Sequence, residues 1–209
     1  MEKQESKNKV IIFSLIMSTV LWFVIFVLKP FNFWIEMGVS ILSLVMVALF
    51  SEKNLISFRN IKLRHILIGI ISAIILYFVF YAGNIVSGYL FPFKDAQIAS
   101  VYSNRAQGNS LLIGALLLFI IGPGEEIYWR GFIQNNLAKK IGEDKGYIFA
   151  TLLYAGVHII TLNFMLVVAA LVCGIYWGWI YKKEKSLVPI IISHAIWDFT
   201  VFVLFPLMQ

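Results

Sequence analysis

Seven apolar runs of about membrane-spanning length limit this chain to a helical membrane protein. About 20 apolar residues cross the hydrocarbon core as one helix, because a helix satisfies its own backbone hydrogen bonds where no water is present. Hydrophobic residues make up 60% of the 209 residues, and charged residues only 13%. We therefore predict an all-α polytopic membrane protein with about seven transmembrane helices. The predicted spans are 10–28, 33–50, 66–91, 109–138, 146–161, 163–181 and 187–207.

The basic residues fall mainly on one side of this series of spans. With a cytoplasmic N-terminus, thirteen of the seventeen Lys and Arg residues lie in cytoplasmic segments, three in outer segments, and Arg130 within a span. Cytoplasmic loops are enriched in Lys and Arg. The distribution predicts a cytoplasmic N-terminus and a multi-pass protein of the cell membrane, of bacterial type. It also accounts for the net charge of +6 without a nucleic-acid partner, since no basic stripe or nucleic-acid motif occurs.

The spans divide into two parts, of which the second carries the chemistry. Residues 1–108 hold three spans with their loops, and residues 109–209 hold four spans. We expect 51–64 to form an amphipathic surface segment and 92–108 to form a polar loop. The tripeptide Gly122-Pro123-Gly124 is expected to kink or restart the fourth span, because proline removes a backbone donor.

Two adjacent carboxylates and an arginine lie inside that fourth span. Ionisable groups at this depth face a bundle interior or a wet cavity and indicate function. Glu126 and Arg130 are four residues apart, so they share a helix face and are predicted to form a structural ion pair. Glu125 is rotated by about 100° from its neighbour. Its carboxylate is therefore free for chemistry.

Three further polar residues occur in apolar helices at a similar depth. They are His158, His194 and Asp198. Counted from the nearest cytoplasmic lysines, these residues and Glu125 all lie roughly 14–21 Å into the membrane at about 1.5 Å per residue. A lone histidine in a span is often only an interhelical hydrogen-bonding group. Agreement in depth instead indicates one shared site.

These groups fit two mechanisms. A Glu and a His around one water can act as a general base, with neighbouring donors stabilising the oxyanion. The same residues could bind zinc, since one Glu and two His form an ordinary catalytic zinc set. The sequence therefore leaves the cofactor unknown, with zinc as one possibility. The possible ligands are Glu125, His158, His194 and Asp198.

The three motifs together resemble those of the CPBP family of intramembrane proteases. The motifs are Glu125-Glu126-x-x-x-Arg130, then His158, then His194-x-x-x-Asp198, and the resemblance covers residues 120–200. The family includes CAAX prenyl endopeptidases of type II and bacterial proteins linked to bacteriocin production and self-immunity. The resemblance implies a membrane-embedded endopeptidase, either glutamate-dependent or a metalloprotease. It also implies roles: Glu125 and His158 activate water, Glu126 pairs with Arg130, and His194 and Asp198 serve the oxyanion.

Two residues depart from the family pattern. Tyr154 opens the second motif where the family usually has Phe, which adds a hydroxyl near the site. Asp198 ends the third motif, where the family often has Asn. An ionised Asp cannot donate to an oxyanion. Asp198 is therefore protonated, orients His194, or binds a metal.

An intramembrane endopeptidase acting on a peptide or membrane-protein substrate in the bilayer is the leading interpretation. A non-catalytic scaffold or bacteriocin self-immunity protein of the same fold is the alternative, although such a chain could lose any motif residue and this one keeps them all. A proton-relay transporter is a third possibility. Transporters of this size usually show paired halves, and no repeat is evident.

Overall fold

The computed structural model describes residues 2–53, 55 and 61–208, and within these ranges the chain forms eight helices and no strand. The helices are α1 (Glu2–Phe23, continued by a π-helix, Val24–Leu28), α2 (Phe33–Ser51), α3 (Leu63–Leu90), α4 (Lys94–Tyr102, continued by a 3-10 helix, Ser103–Gln107), α5 (Ser110–Ile141), α6 (Glu143–Val157, continued by a 3-10 helix, His158–Thr161), α7 (Phe164–Glu184) and α8 (Val188–Phe199, continued by a π-helix, Thr200–Leu204).

The predicted all-helical membrane fold is confirmed. Each predicted span corresponds to one helix, and six of the seven helices begin and end within three residues of the predicted limits. Five helices are long and apolar enough to cross a membrane: α1, α2, α3, α5 and α7. The other two are α6 and α8, and α8 is a shorter apolar helix over Val188–Leu204.

Outward faces of the bundle are apolar, as a lipid environment requires. Ile16 on α1 and Ile74 and Phe78 on α3 are more than half exposed. Side chains of this kind contact lipid tails at no hydrophobic cost. The bundle interior holds the polar residues instead, together with buried tryptophans from four helices.

Asparagine side chains cap the first turns of several helices. Asn32 accepts hydrogen bonds from the backbone of Trp34 and Ile35 at the start of α2. Asn109 and Asn163 cap α5 and α7 in the same way. An asparagine oxygen at this position satisfies backbone N–H groups that the first turn leaves without partners. At the other end of the bundle Gly142, with a φ of 90°, is the only residue between α5 and α6.

The segment 92–108 is not the loop that its polar composition suggests. Residues 94–102 form α4, which lies against the start of α7. The Gln97 carbonyl accepts from the Asn163 side chain at 2.8 Å, and the Gln97 side chain accepts from the Met165 backbone at 2.9 Å. These tertiary contacts help to stabilise a helix whose apolar face is small and consists of Ile98, Val101 and Tyr102. The predicted surface segment 51–64 lies largely outside the described residues, which omit 54 and 56–60.

The helix α5 runs through Gly122-Pro123-Gly124 without restarting. Two π-helical stretches, Leu117–Ile121 and Ile127–Gln134, flank an α-helical turn, Gly122–Glu126. The Gly122 N–H donates to the Leu117 carbonyl, five residues back, so the widened turn keeps its hydrogen bond beside a proline that cannot donate. Single π turns inside helices are frequent at functional sites. The two carboxylates lie between these stretches.

Two glycines on α5 allow close contacts with other helices near the two carboxylates. A Cβ on Gly124 would overlap Ile41 of α2, and a Cβ on Gly122 would lie 3.0 Å from the Cα of Ala195 on α8. The missing side chains let the backbones of α2, α5 and α8 approach closely. This approach brings the carboxylates next to His194.

Candidate active site

Glu126 is the centre of a buried charge network. Its Oε1 accepts from Arg130 Nη1 at 2.8 Å and lies 2.7 Å from His194 Nδ1. Arg130 also donates to the Cys173 carbonyl at 3.3 Å, and its guanidinium lies 4.7 Å from the centre of the Tyr154 ring. Glu126 is fully buried and Arg130 is 2% exposed. The network links α5 to α7 and α8.

His194 lies between two carboxylates and against an aromatic ring. Its Nε2 is 3.3 Å from Asp198 Oδ2, on the side away from Glu126. The Trp177 ring stacks on the imidazole with centroids 3.8 Å apart, and the Trp177 indole is held by the Ser193 hydroxyl at 3.0 Å. Stacking and two carboxylates fix the plane and the rotation of the ring.

Glu125 makes a contact separate from those of Glu126, to Tyr154 on α6. The Tyr154 hydroxyl donates to Oε2 of Glu125 at 2.9 Å, so the hydroxyl that departs from the family pattern contacts this carboxylate. No described residue donates to its Oε1. Glu125 also lines the main cavity of the bundle, so Oε1 is available to a molecule bound there.

Both ring nitrogens of His158 are already hydrogen-bonded to protein. Nδ1 lies 2.8 Å from the Tyr154 carbonyl, and the Trp22 indole lies 3.1 Å from Nε2. A carbonyl only accepts and an indole N–H only donates. Nδ1 therefore carries the proton, and the Nε2 lone pair accepts from Trp22. His158 is a neutral ring with one defined tautomer.

The four candidate catalytic residues line one cavity of about 370 Å³. Its remaining walls are mainly apolar side chains from every helix. The polar groups lie together at one end, and the lining extends from there to α4 and to Phe91 after the end of α3. A mostly apolar cleft with a few convergent polar groups is typical of a binding or catalytic site.

The residues predicted as possible zinc ligands do not fit a zinc site in this arrangement. Zinc binds a ring nitrogen through its lone pair. Both nitrogens of His158 and both of His194 are engaged by protein groups, which leaves neither ring a free lone pair. Within the described chain, no three His, Cys, Asp or Glu side chains are grouped to hold a metal ion.

Sequence reasoning missed two tryptophans that contact the site. Trp22 is fully buried, and its indole N–H donates to His158 Nε2. Trp177 was not singled out. No spacing in the sequence links either tryptophan to its histidine. Cys173 is also buried, and its carbonyl accepts from Arg130.

Comparison with known proteins finds a family match in the second half of the chain. Residues 107–200 match the family model described as type II CAAX prenyl endopeptidase, Rce1-like. No curated protein and no solved structure matches the chain significantly. The matched region includes all six predicted site residues and supports a CAAX-type intramembrane protease. Over residues 107–200, this multi-pass membrane protein is therefore similar to the Rce1-like type II CAAX prenyl endopeptidase family.

Proposed function

We propose that this chain is an intramembrane endopeptidase that hydrolyses a peptide bond in a membrane-associated peptide or protein. The observation that carries the proposal is the position of Glu125 and the hydrogen bonding of its carboxylate. It is a buried carboxylate in the cavity wall, held through Oε2 by Tyr154, with no described donor on Oε1. A positioned carboxylate with one free oxygen can take a proton from water.

Glu125 is assigned as the general base. Its Oε1 accepts a proton from a water molecule while the water oxygen attacks the substrate carbonyl carbon. The tetrahedral intermediate then collapses, and the protonated Glu125 gives the same proton to the leaving amine nitrogen. The fixed hydrogen bond from Tyr154 prevents the carboxylate from rotating away during both transfers.

His194 and Asp198 are assigned to the oxyanion. The His194 nitrogen that faces Asp198 is 3.3 Å from its partner, whereas the other nitrogen is 2.7 Å from Glu126. The longer contact is the weaker one. An N–H held weakly on that side can instead donate to the oxyanion of a substrate in the cavity, which stabilises the transition state.

His158 is assigned a place beside the attacking water. Its Nε2 accepts from Trp22 in the arrangement described, so the proton goes to Glu125. His158 can accept from the water only after the Trp22 hydrogen bond opens. In the arrangement described, Glu125 alone activates the water. His158 contributes a second hydrogen bond to the water once the Trp22 hydrogen bond has opened.

Comparison of membrane peptides tests the proposal. Cells that express the wild-type chain should contain peptide fragments that are missing from cells expressing Glu125→Gln. Glu36→Gln is the matched control, since Glu36 lies on α2 and does not line the cavity. Identical fragments in wild type and Glu125→Gln, with both proteins present at equal levels, would reject proteolysis.

A further inference from the structure

The cavity occupies only one half of the bundle. On α3 its lining begins at Val79, and on α5 it ends at Glu125. On α8 it begins at His194. Three other helices line the cavity only near one of their ends. The lining residues are Phe26 near the end of α1, Phe33, Trp34 and Met37 at the start of α2, and Tyr154 and His158 at the end of α6. On α7 the lining runs from Met165 to Trp177, which lies past the middle of that helix. Apart from Trp177, the lining therefore lies between the middle of the bundle and the end that carries α4.

The inner halves of the helices are in close contact. A Cβ on Gly69 of α3 would lie 2.7 Å from Ile192 and 2.9 Å from the Pro189 carbonyl of α8. The Tyr176 hydroxyl on α7 donates to the Ser72 carbonyl on α3 at 3.0 Å. These contacts separate the cavity from the opposite end of the bundle.

That opposite end is the basic one. Lys139, Lys140, Lys182 and Lys183 lie there at the ends of α5 and α7. Ion pairs join the helices at this level, with Arg64 Nη2 2.6 Å from Glu184 Oε1 and Lys182 paired with Asp144. Among the described residues, the basic side chains at the end with α4 are Lys29, Lys94 and Arg105. A basic excess of this kind marks the cytoplasmic side.

We propose that the cavity receives its substrate from the side of the membrane opposite the cytoplasm. The cleaved bond then lies in an apolar peptide segment that enters the membrane from the outer face, as the membrane-embedded part of a translocated chain does. The inference rests on the proposed protease function for the nature of the bound molecule. The side from which the cavity is reached does not depend on cleavage.

Three single-cysteine variants and a membrane-impermeant maleimide test the direction of access. Cys173 is the only cysteine of the chain, so Cys173→Ala gives a background without thiols. Gly83→Cys places a thiol in the cavity wall, where an added Cβ meets no atom within 4 Å. Asp95→Cys marks the α4 end, and Lys183→Cys marks the basic end. Both natural residues are exposed.

We expect intact cells to show labelling of Asp95→Cys and Gly83→Cys, and no labelling of Lys183→Cys until the membrane is permeabilised. The reverse pattern would overturn the inference. If Gly83→Cys does not accumulate, the other two variants still decide the orientation of the bundle. Outward labelling in a chain that cleaves nothing would reject the proposed function and leave the direction of access standing.

Discussion

Loss of either partner in the Glu126–Arg130 pair should strongly destabilise the protein. Glu126 is fully buried and Arg130 is 2% exposed, and their side chains are 2.8 Å apart. Removing Glu126 leaves the Arg130 charge without its carboxylate, and removing Arg130 leaves Glu126 with His194 as its remaining partner. Breaking a buried ion pair in this way costs about 3–5 kcal/mol. At roughly 2–4 °C per kcal/mol for a chain of this size, Glu126→Ala and Arg130→Ala should each lower the Tm in detergent by about 6–20 °C.

The double variant separates an ion pair from two independent losses. Glu126→Ala with Arg130→Ala leaves neither charge stranded, so its destabilisation should be smaller than the sum of the two single losses by about 0.5–3 kcal/mol. Lys139→Ala is the matched control, because Lys139 is an exposed basic residue on the same helix. Its stability should change by no more than about 0.5 kcal/mol. Strictly additive losses, or single variants as stable as Lys139→Ala, would refute the buried pair.

Two further predictions concern His158 and Asp198. In protein labelled with ¹⁵N at Trp and His, the Trp22 indole nitrogen should show a scalar coupling to His158 Nε2 across their hydrogen bond, and His158 should carry its proton on Nδ1. Trp22→Phe should remove the coupling and allow the other tautomer, whereas Trp34→Phe, which removes a buried indole bonded to the Asn104 carbonyl, should not. A proton on Nε2 in wild type would contradict the assignment. Asp198→Asn should keep cleavage within about tenfold of wild type, a difference of about 1.4 kcal/mol in the barrier. The reason is that an asparagine amide has both an oxygen that can accept from His194 Nε2 and an N–H that can donate to the oxyanion. This activity should survive prolonged chelation. Inactivity that excess zinc restores would instead establish a metal ligand.

The helices and two of the polar pairs are predictable because helix geometry alone determines them. Residues four apart share a face, so Glu126 meets Arg130 and His194 meets Asp198 on any regular helix. Run length and apolar composition place the spans within a turn of their observed limits. Both features are local, and local pattern is what one sequence contains.

Contacts between helices that are far apart in the sequence could not be predicted in this way. Trp22 and His158 are 136 positions apart, and their hydrogen bond depends on how α1 is rotated against α6. The pair between Glu126 and His194 likewise depends on the close approach of α5 and α8 at Gly122. The helix α4 was missed because the segment around it is mainly polar and its contacts to the start of α7 join residues far apart in the sequence. Tertiary contacts of this kind override composition.

Hydrolysis in ¹⁸O-labelled water tests the assignment of Glu125 most directly. Purified wild-type protein in proteoliposomes should be incubated with a peptide that spans a cleavage site found in cells, in water enriched in ¹⁸O. We predict that the new C-terminal carboxylate gains one ¹⁸O atom, and that Glu125→Gln, folded with an unchanged Tm, forms no such product. Labelled product formed by Glu125→Gln at the wild-type rate would contradict the role of Glu125 as the base that activates water.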